Sequence, residues 1–311
     1  MRRLGVLLGT MALLATLPAS AAQVVRRALV IAHNGSDDPA LSPLRYADDD
    51  GVLWAEALQR LGVETTLLVD ADETTAQSGR PVLAAVRPPT PEEVRREVAR
   101  LRAANLADRE SGRETDTLVV YVGHGTTDAA GRAYFTLAGG RLDRASLYAW
   151  VVDALDADYV HLIVDACRAS GVLGRRGQAE GAVLAELRGV LALEQPSARP
   201  HVGALFAESE DGETHEWSRI RAGVFSHAAR SGLMGGADIN ADGVVEYSEL
   251  GAFIAASLHG VKGLPARLNV HTSAPARHPR RSLVGPVPRG PVLTLPAWFE
   301  HTRISVEDEE G

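Results

Sequence analysis

Five short apolar runs recur along the chain and restrict it to a mostly parallel sheet covered on both faces. They are VVRRALVIA (24–32), VETTLLVD (63–70), DTLVVYVG (116–123), YVHLIVDA (159–166) and HVGALFAE (201–208). DTLVVYVG and YVHLIVDA are apolar at nearly every position, as strands buried on both faces of a parallel sheet are, whereas VETTLLVD alternates before it runs apolar. Helical patterns separate these runs. DDDGVLWAEALQRL (48–61) carries Val52, Leu53, Ala57, Leu58 and Leu61 near helical spacing behind an acidic start. TPEEVRREVARLRAANLA opens with Thr90 as N-cap, Pro91 at the first helical position and Glu93 three residues on. RASLYAWVVDAL (144–155) and a segment near 217–231 read as further helices, and GRAYFTLA (131–138) as a small strand or hairpin arm. Residues 71–89 and 171–199 read as loops, the second with at most one short helix. Strands alternating with helices predict an α/β fold with a doubly wound sheet.

The amino terminus has the three parts of a secretory signal peptide: Arg2 and Arg3, an apolar stretch Leu4–Leu17, and Ala19-Ser20-Ala21 as a cleavage site. Residues 1–21 are therefore set apart from the fold, and the protein is expected to be exported, periplasmic or extracellular. No other stretch is long enough to cross a membrane. Removing the two arginines takes the formal charge from −8 to −10 (−8 − 2). An acidic chain without a basic block argues against nucleic acid and anionic membranes as partners. A single cysteine, Cys167, excludes an internal disulfide.

Two of the buried runs end in reactive side chains. LVVYVGHG delivers His124 between glycines, and HLIVDAC delivers Cys167. If the two strands are parallel neighbours, both residues emerge at the carboxyl edge of the sheet, where open α/β folds bind ligands. A thiol beside an imidazole that takes its proton is the arrangement cysteine-based acyl transfer needs. Gly123 and Gly125 would leave room for a substrate backbone, and the amides of Gly125 and Cys167 could form an oxyanion hole. Taken singly, Cys167 would be a buried structural thiol and His124 a loop histidine; the matching strand ends favour the dyad.

YVGHG followed by DACRAS, with His124 and Cys167 separated by 43 residues, resembles the caspase-like cysteine peptidases, in particular the bacterial orthocaspase- and metacaspase-like members of peptidase C14. ALVIAHNGS, LRYADDDGVLWAEAL and GVFSHAARSGLMGGADINADGVVEYSELGAF extend the likeness over about residues 26–258. The resemblance implies a caspase-like three-layer sandwich in a peptidase domain over 22–262; by composition 263–311 reads as a Pro/Arg-rich C-terminal extension, either contributing a strand or serving as an interaction segment. It implies a cysteine-type endopeptidase with Cys167 as nucleophile, His124 as general base, a polypeptide substrate and no cofactor required for the chemistry. An inactive caspase-like module that binds peptide or calcium is the alternative.

Caspases proper carry Gln two residues before the cysteine, whereas metacaspases and paracaspases carry Asp and cut after Arg or Lys. Asp165 stands at that position, and alignment of YADDDG points to Asp50 as a second carboxylate of the S1 pocket that receives the P1 side chain. Together they imply a basic P1, held by charge-assisted contacts. Asp48 and Asp49 serve equally well as charges at a helix N-terminus. Arg45 pulls the other way, since caspases proper place an S1 arginine in this region. Arg168 departs from the His that many metacaspases carry after the cysteine.

DINADGVVEYSE places Asp238, Asn240, Asp242, the carbonyl of Val244 and Glu249 at calcium-loop spacing, with Gly243 at the turn. Ca2+ is the one metal the sequence suggests, and an Asx-turn leading into a helix is the competing reading. Arg175 and Arg176 would suit self-cleavage by a basic-P1 enzyme or form a solvated loop. His33, His161, His201 and His227 show no zinc spacing, and His161 reads as a packed core residue.

Overall fold

The computed structural model describes residues 23–39, 41–130, 132–168, 199–209, 216–259, 261, 263–264 and 268–287. The expected signal peptide, Arg175 and Arg176 lie outside them. The five apolar runs form β1 (Val24–His33), β2 (Glu64–Asp70), β3 (Glu114–Thr127), β6 (Tyr159–Arg168) and β7 (Val202–Ser209). All pairs among these five are parallel. A hairpin, β4 (Ala133–Leu137) and β5 (Gly140–Asp143), joins β3 in antiparallel fashion. β10 (Leu268–Ser273) closes the other side against β7, giving the order β10-β7-β6-β3-β1-β2.

Alternation along the strands sends side chains into two cores. Ala28, Val30 and Ala32 of β1 with Leu118, Val120 and Val122 of β3 pack under α1 (Ala47–Arg60) and two later helices. Leu29, Ile31 and Val119 pack on the opposite side against Val94, Val98 and Leu101 of α3 (Pro91–Glu110). The result is the expected three-layer α/β sandwich with a mostly parallel sheet. α3 starts as its sequence predicts, with the Thr90 hydroxyl accepting from the Glu93 amide at 3.2 Å.

Several boundaries differ from expectation. The 71–89 loop contains a single turn, α2 (Glu73–Ala76), and a 3-10 turn over Pro81–Ala85. The helix from 144 begins as α4 (Arg144–Ser146) and continues as a wider π turn over Leu147–Val152. Leu147, Val151 and Leu155 are all buried at four-residue steps, a spacing that a wider turn keeps on one face. The helix expected near 217 starts only at Val224, as α5 (Val224–Ser231). The residues before it make a two-stranded ladder, β8 (Glu216–Trp217) with β9 (Ala222–Gly223). α6 (Tyr247–Leu258) follows, packed against β10.

The stretch after 262, expected as an extension, supplies an edge strand and then Leu283, Val284 and Val287 to the core. It is anchored by charge. Arg281 makes two bonds to the buried carboxylate of Asp116, at 3.2 and 2.7 Å, and one to Glu114 at 2.6 Å. Among the described residues no helix is long and apolar enough to cross a membrane.

Candidate active site

Parallel pairing of β3 with β6 sets His124 opposite Cys167, with Gly125 opposite Arg168. Neighbouring strands lie about 4.8 Å apart, so the two backbones meet at one level of the carboxyl edge. The sequence therefore brings its two reactive residues together through strand register alone. His124 is buried at 3 % exposure, and neither ring nitrogen has a hydrogen-bond partner among the described residues. Burial lowers its pKa; the facing carbonyls of Ser42 and Asn34 oppose that shift, and His33 adds to it. An imidazole so placed is neutral at pH 7 and able to take a proton.

Gly123 answers a different need from the one expected. A Cβ there would lie 2.7 Å from the Tyr121 hydroxyl and 3.0 Å from the His33 carbonyl oxygen. The space is thus filled by the protein's own side chain and backbone rather than left for a substrate.

The acidic triplet at the start of α1 divides into separate tasks. Asp48 accepts from the Asn34 amide group at 2.7 Å and the Asp72 N–H at 2.8 Å, tying the loops after β1 and β2 to the helix. Asp49 accepts from the Thr75 hydroxyl at 2.9 Å. Asp50 alone faces the site. It accepts from the Gly223 N–H at 2.5 Å and pairs with Arg230 of α5 at 2.7 Å. Burial pushes its pKa up to about 7, with Asp165 adding to the rise and Arg230 opposing it.

Asp165, opposite Val122 on β6, accepts from the Ser226 N–H at 3.1 Å. A Cβ on Gly223 would stand 2.7 Å from its Oδ2 and 3.0 Å from that of Asp50. Both predicted carboxylates therefore converge on one glycine, where a side chain would close the gap between them.

Sequence reasoning missed two neighbours. Glu216 of β8 accepts from the amides of Arg45 and Tyr46 at 2.9 and 2.7 Å, at the entry to α1. Burial raises its pKa, and the negative charge of Asp165 adds to the rise. The buried Arg230 guanidinium also lies 5.8 Å from the Trp54 ring centre. The only sequence signal for Glu216 was the acidic run ESEDGETHE, which resembles a solvated loop. Arg45 itself is exposed over the Tyr46 ring.

In the 238–249 loop the predicted ligand oxygens hold the turn itself. Asp238 accepts from the Gly243 N–H, Asn240 from that of Asp242, and Asp242 from that of Val244, at 2.8–2.9 Å. Glu249 accepts from the Glu246 N–H at 3.0 Å in a capping box at the start of α6. Among the described residues no three His, Cys, Asp or Glu side chains gather as a metal group. His161 is a core residue, bonded to the Tyr247 hydroxyl at 2.8 Å and depressed to a pKa of about 3 chiefly by burial.

The family model of the caspase domain, peptidase C14, matches residues 25–248. The chain belongs to the caspase-domain family. A domain of this family has a cysteine peptidase-like function and a polypeptide substrate. Solved structures similar to this caspase domain include caspase-1 from Spodoptera frugiperda, at 12 % identity and TM-score 0.48, covering 84 % of this chain and 96 % of that one. The structure of pro-sf-caspase-1 is similar at 13 % identity and TM-score 0.48, over 84 % and 94 % of the two chains. Chaetomium thermophilum Raptor aligns at 12 % identity and TM-score 0.38, over 69 % of this chain and 18 % of that one. Among curated proteins, none matches the chain in sequence.

Proposed function

We propose that this caspase domain is an active cysteine endopeptidase that uses His124 and Cys167 and cuts after Arg or Lys. The observation that carries the reading is the register of β3 and β6, which sets His124 opposite Cys167 at the carboxyl edge of the sheet. The Cys167 thiol gives its proton to the His124 imidazole, and the sulfur attacks the scissile carbonyl carbon. The resulting oxyanion is held by the Gly125 and Cys167 amides. Collapse breaks the C–N bond, and the imidazolium returns its proton to the leaving amine. Water, deprotonated by His124, then cleaves the thioester and restores the thiol.

A basic P1 side chain would enter beside Gly223, where Asp165 and Asp50 converge and Glu216 adds negative potential. Arg230 pairs with Asp50. Asp165 would make the charge-assisted contact to the P1 cation, with Asp50 held behind it by Arg230. The signal-peptide pattern of residues 1–21 supports export; N-terminal sequencing of the mature protein tests it, expecting a start near residue 22.

The deciding experiment compares wild type with Cys167→Ala on fluorogenic peptides bearing Arg, Lys or Asp at P1. Hydrolysis after Arg and Lys that vanishes in Cys167→Ala is the expected result. Undiminished hydrolysis in that variant overturns the mechanism, and faster turnover of the Asp peptide overturns the specificity.

A further inference from the structure

Tyr121 stands on β3 three residues before His124 and is buried. Its ring stacks on Phe135 of β4, with centroids 4.6 Å apart. From there it reaches across the place a Gly123 side chain would occupy, 2.7 Å from hydroxyl to ideal Cβ. The hydroxyl oxygen lies 2.8 Å from the His124 carbonyl oxygen and 2.9 Å from that of Thr136. Its single proton serves both acceptors. The Thr136 hydroxyl in turn donates to the Gly35 carbonyl at 3.1 Å. One tyrosine thus links the end of β3 to β4, and through Thr136 to the loop after β1.

The carbonyl it holds belongs to the peptide joining His124 to Gly125. That peptide is trans, as all peptides are among the described residues, and planar. Its C=O and N–H therefore point in opposite directions, and fixing the oxygen aims the hydrogen. The Gly125 N–H is the proposed oxyanion donor, and such donors act through placement fixed before charge develops.

We infer that Tyr121 is a positioning residue for acyl transfer: its hydroxyl holds the His124–Gly125 peptide in the plane that aims the Gly125 N–H at the oxyanion. The inference rests on the His124/Cys167 reading of the site. It also assigns Gly123 its purpose, since any larger residue would displace that hydroxyl.

Tyr121→Phe in the full chain tests this. On an Arg-P1 peptide its kcat falls about tenfold while KM stays within about twofold, because donor placement is felt in the transition state. Affinity for the matching peptide aldehyde, whose thiohemiacetal oxygen needs the same donor, falls with kcat. Alkylation of Cys167 by iodoacetamide, which needs no oxyanion donor, keeps its rate. Gly123→Ala reproduces the pattern and adds little when combined with Tyr121→Phe. Wild-type kcat and aldehyde affinity in Tyr121→Phe overturn the inference, as does a parallel loss of alkylation rate and KM. If Cys167→Ala hydrolyses as well as wild type, the dyad reading falls separately. The carbonyl-carbon shift of His124 and the amide shift of Gly125 then judge the clamp: both move in Tyr121→Phe if it exists, and unchanged shifts overturn it.

Discussion

The two ends of the central sheet both bury charge and a histidine, and they treat them in opposite ways. At the amino end, Asp116 takes two bonds from Arg281, has Arg26 at 3.4 Å, and shares Arg281 with Glu114. His161 there is bonded to Tyr247. At the carboxyl end His124 is nearly as buried, and it faces the backbone carbonyls of Ser42 and Asn34 rather than a side-chain hydroxyl. Asp50 pairs with the buried Arg230, while Asp165 raises the pKa of both Asp50 and Glu216. A buried carboxylate held by two guanidinium groups resists change, whereas a buried imidazole faced by backbone carbonyls can still take up a proton.

The comparison is sharpened most by removing a reactive group from one end and a partner from the other. Cys167→Ala and His124→Ala are each expected to lower kcat/KM by at least about a thousandfold, with the thermal midpoint nearly unmoved. Arg281→Met is expected to do the reverse. It leaves Asp116 buried without its main cation, costing about 3–5 kcal/mol of stability. Chemical denaturation reads that loss, and kcat at a permissive temperature should match wild type. A stable Arg281→Met protein would break the contrast.

Next in size is Asp165→Asn. Replacing a charge-assisted contact by a neutral one is expected to cost about ten- to a hundredfold in kcat/KM for Arg-P1 peptides. Asp-P1 turnover should not fall. Equal losses on both peptides would mean that Asp165 shapes the site rather than selecting the residue.

The two histidines also separate by pH. His161 has a folded pKa of about 3 against an ordinary 6.5, so below 6.5 the unfolded chain binds a proton that the folded chain refuses. Its contribution to stability is complete above pH 6.5 and drains away as pH falls toward 3, measurable as a falling denaturation midpoint. His124, also lowered by burial, should put the acid limb of kcat/KM below pH 6.5. An acid limb above that value would mean that a carboxylate partner raises it. The smallest expected effect is that of Arg45→Ala, within about threefold on any P1, because an exposed charge is screened by solvent.

Much of this contrast was legible in the sequence. Apolar runs, two of them near-continuous, identified the parallel strands, and strand ends were enough to align His124 with Cys167. Asp50 could be distinguished from Asp48 and Asp49 only through the family likeness, since all three sit in the same helical turn. Glu216 and Arg230 were not legible. The first lies in an acidic run of loop character and the second in the last turn of a short helix, where a cation is ordinary. β10 escaped notice for another reason. LNVHTS is short and mostly polar, and it becomes a strand because β7 offers it an antiparallel edge.

The Arg281 anchor also imposes an order in time. The matched caspase-domain residues end at 248, yet the guanidinium that neutralises Asp116 arrives 33 residues later (281 − 248). While the chain is growing, Asp116 can have Arg26 beside it but not its main counter-charge. Packing at that end is completed by a segment made after the matched domain residues. A chain that stops short of residue 281 would leave Asp116 buried beside Arg26 but without its main counter-charge, and is expected to lose stability much as Arg281→Met does.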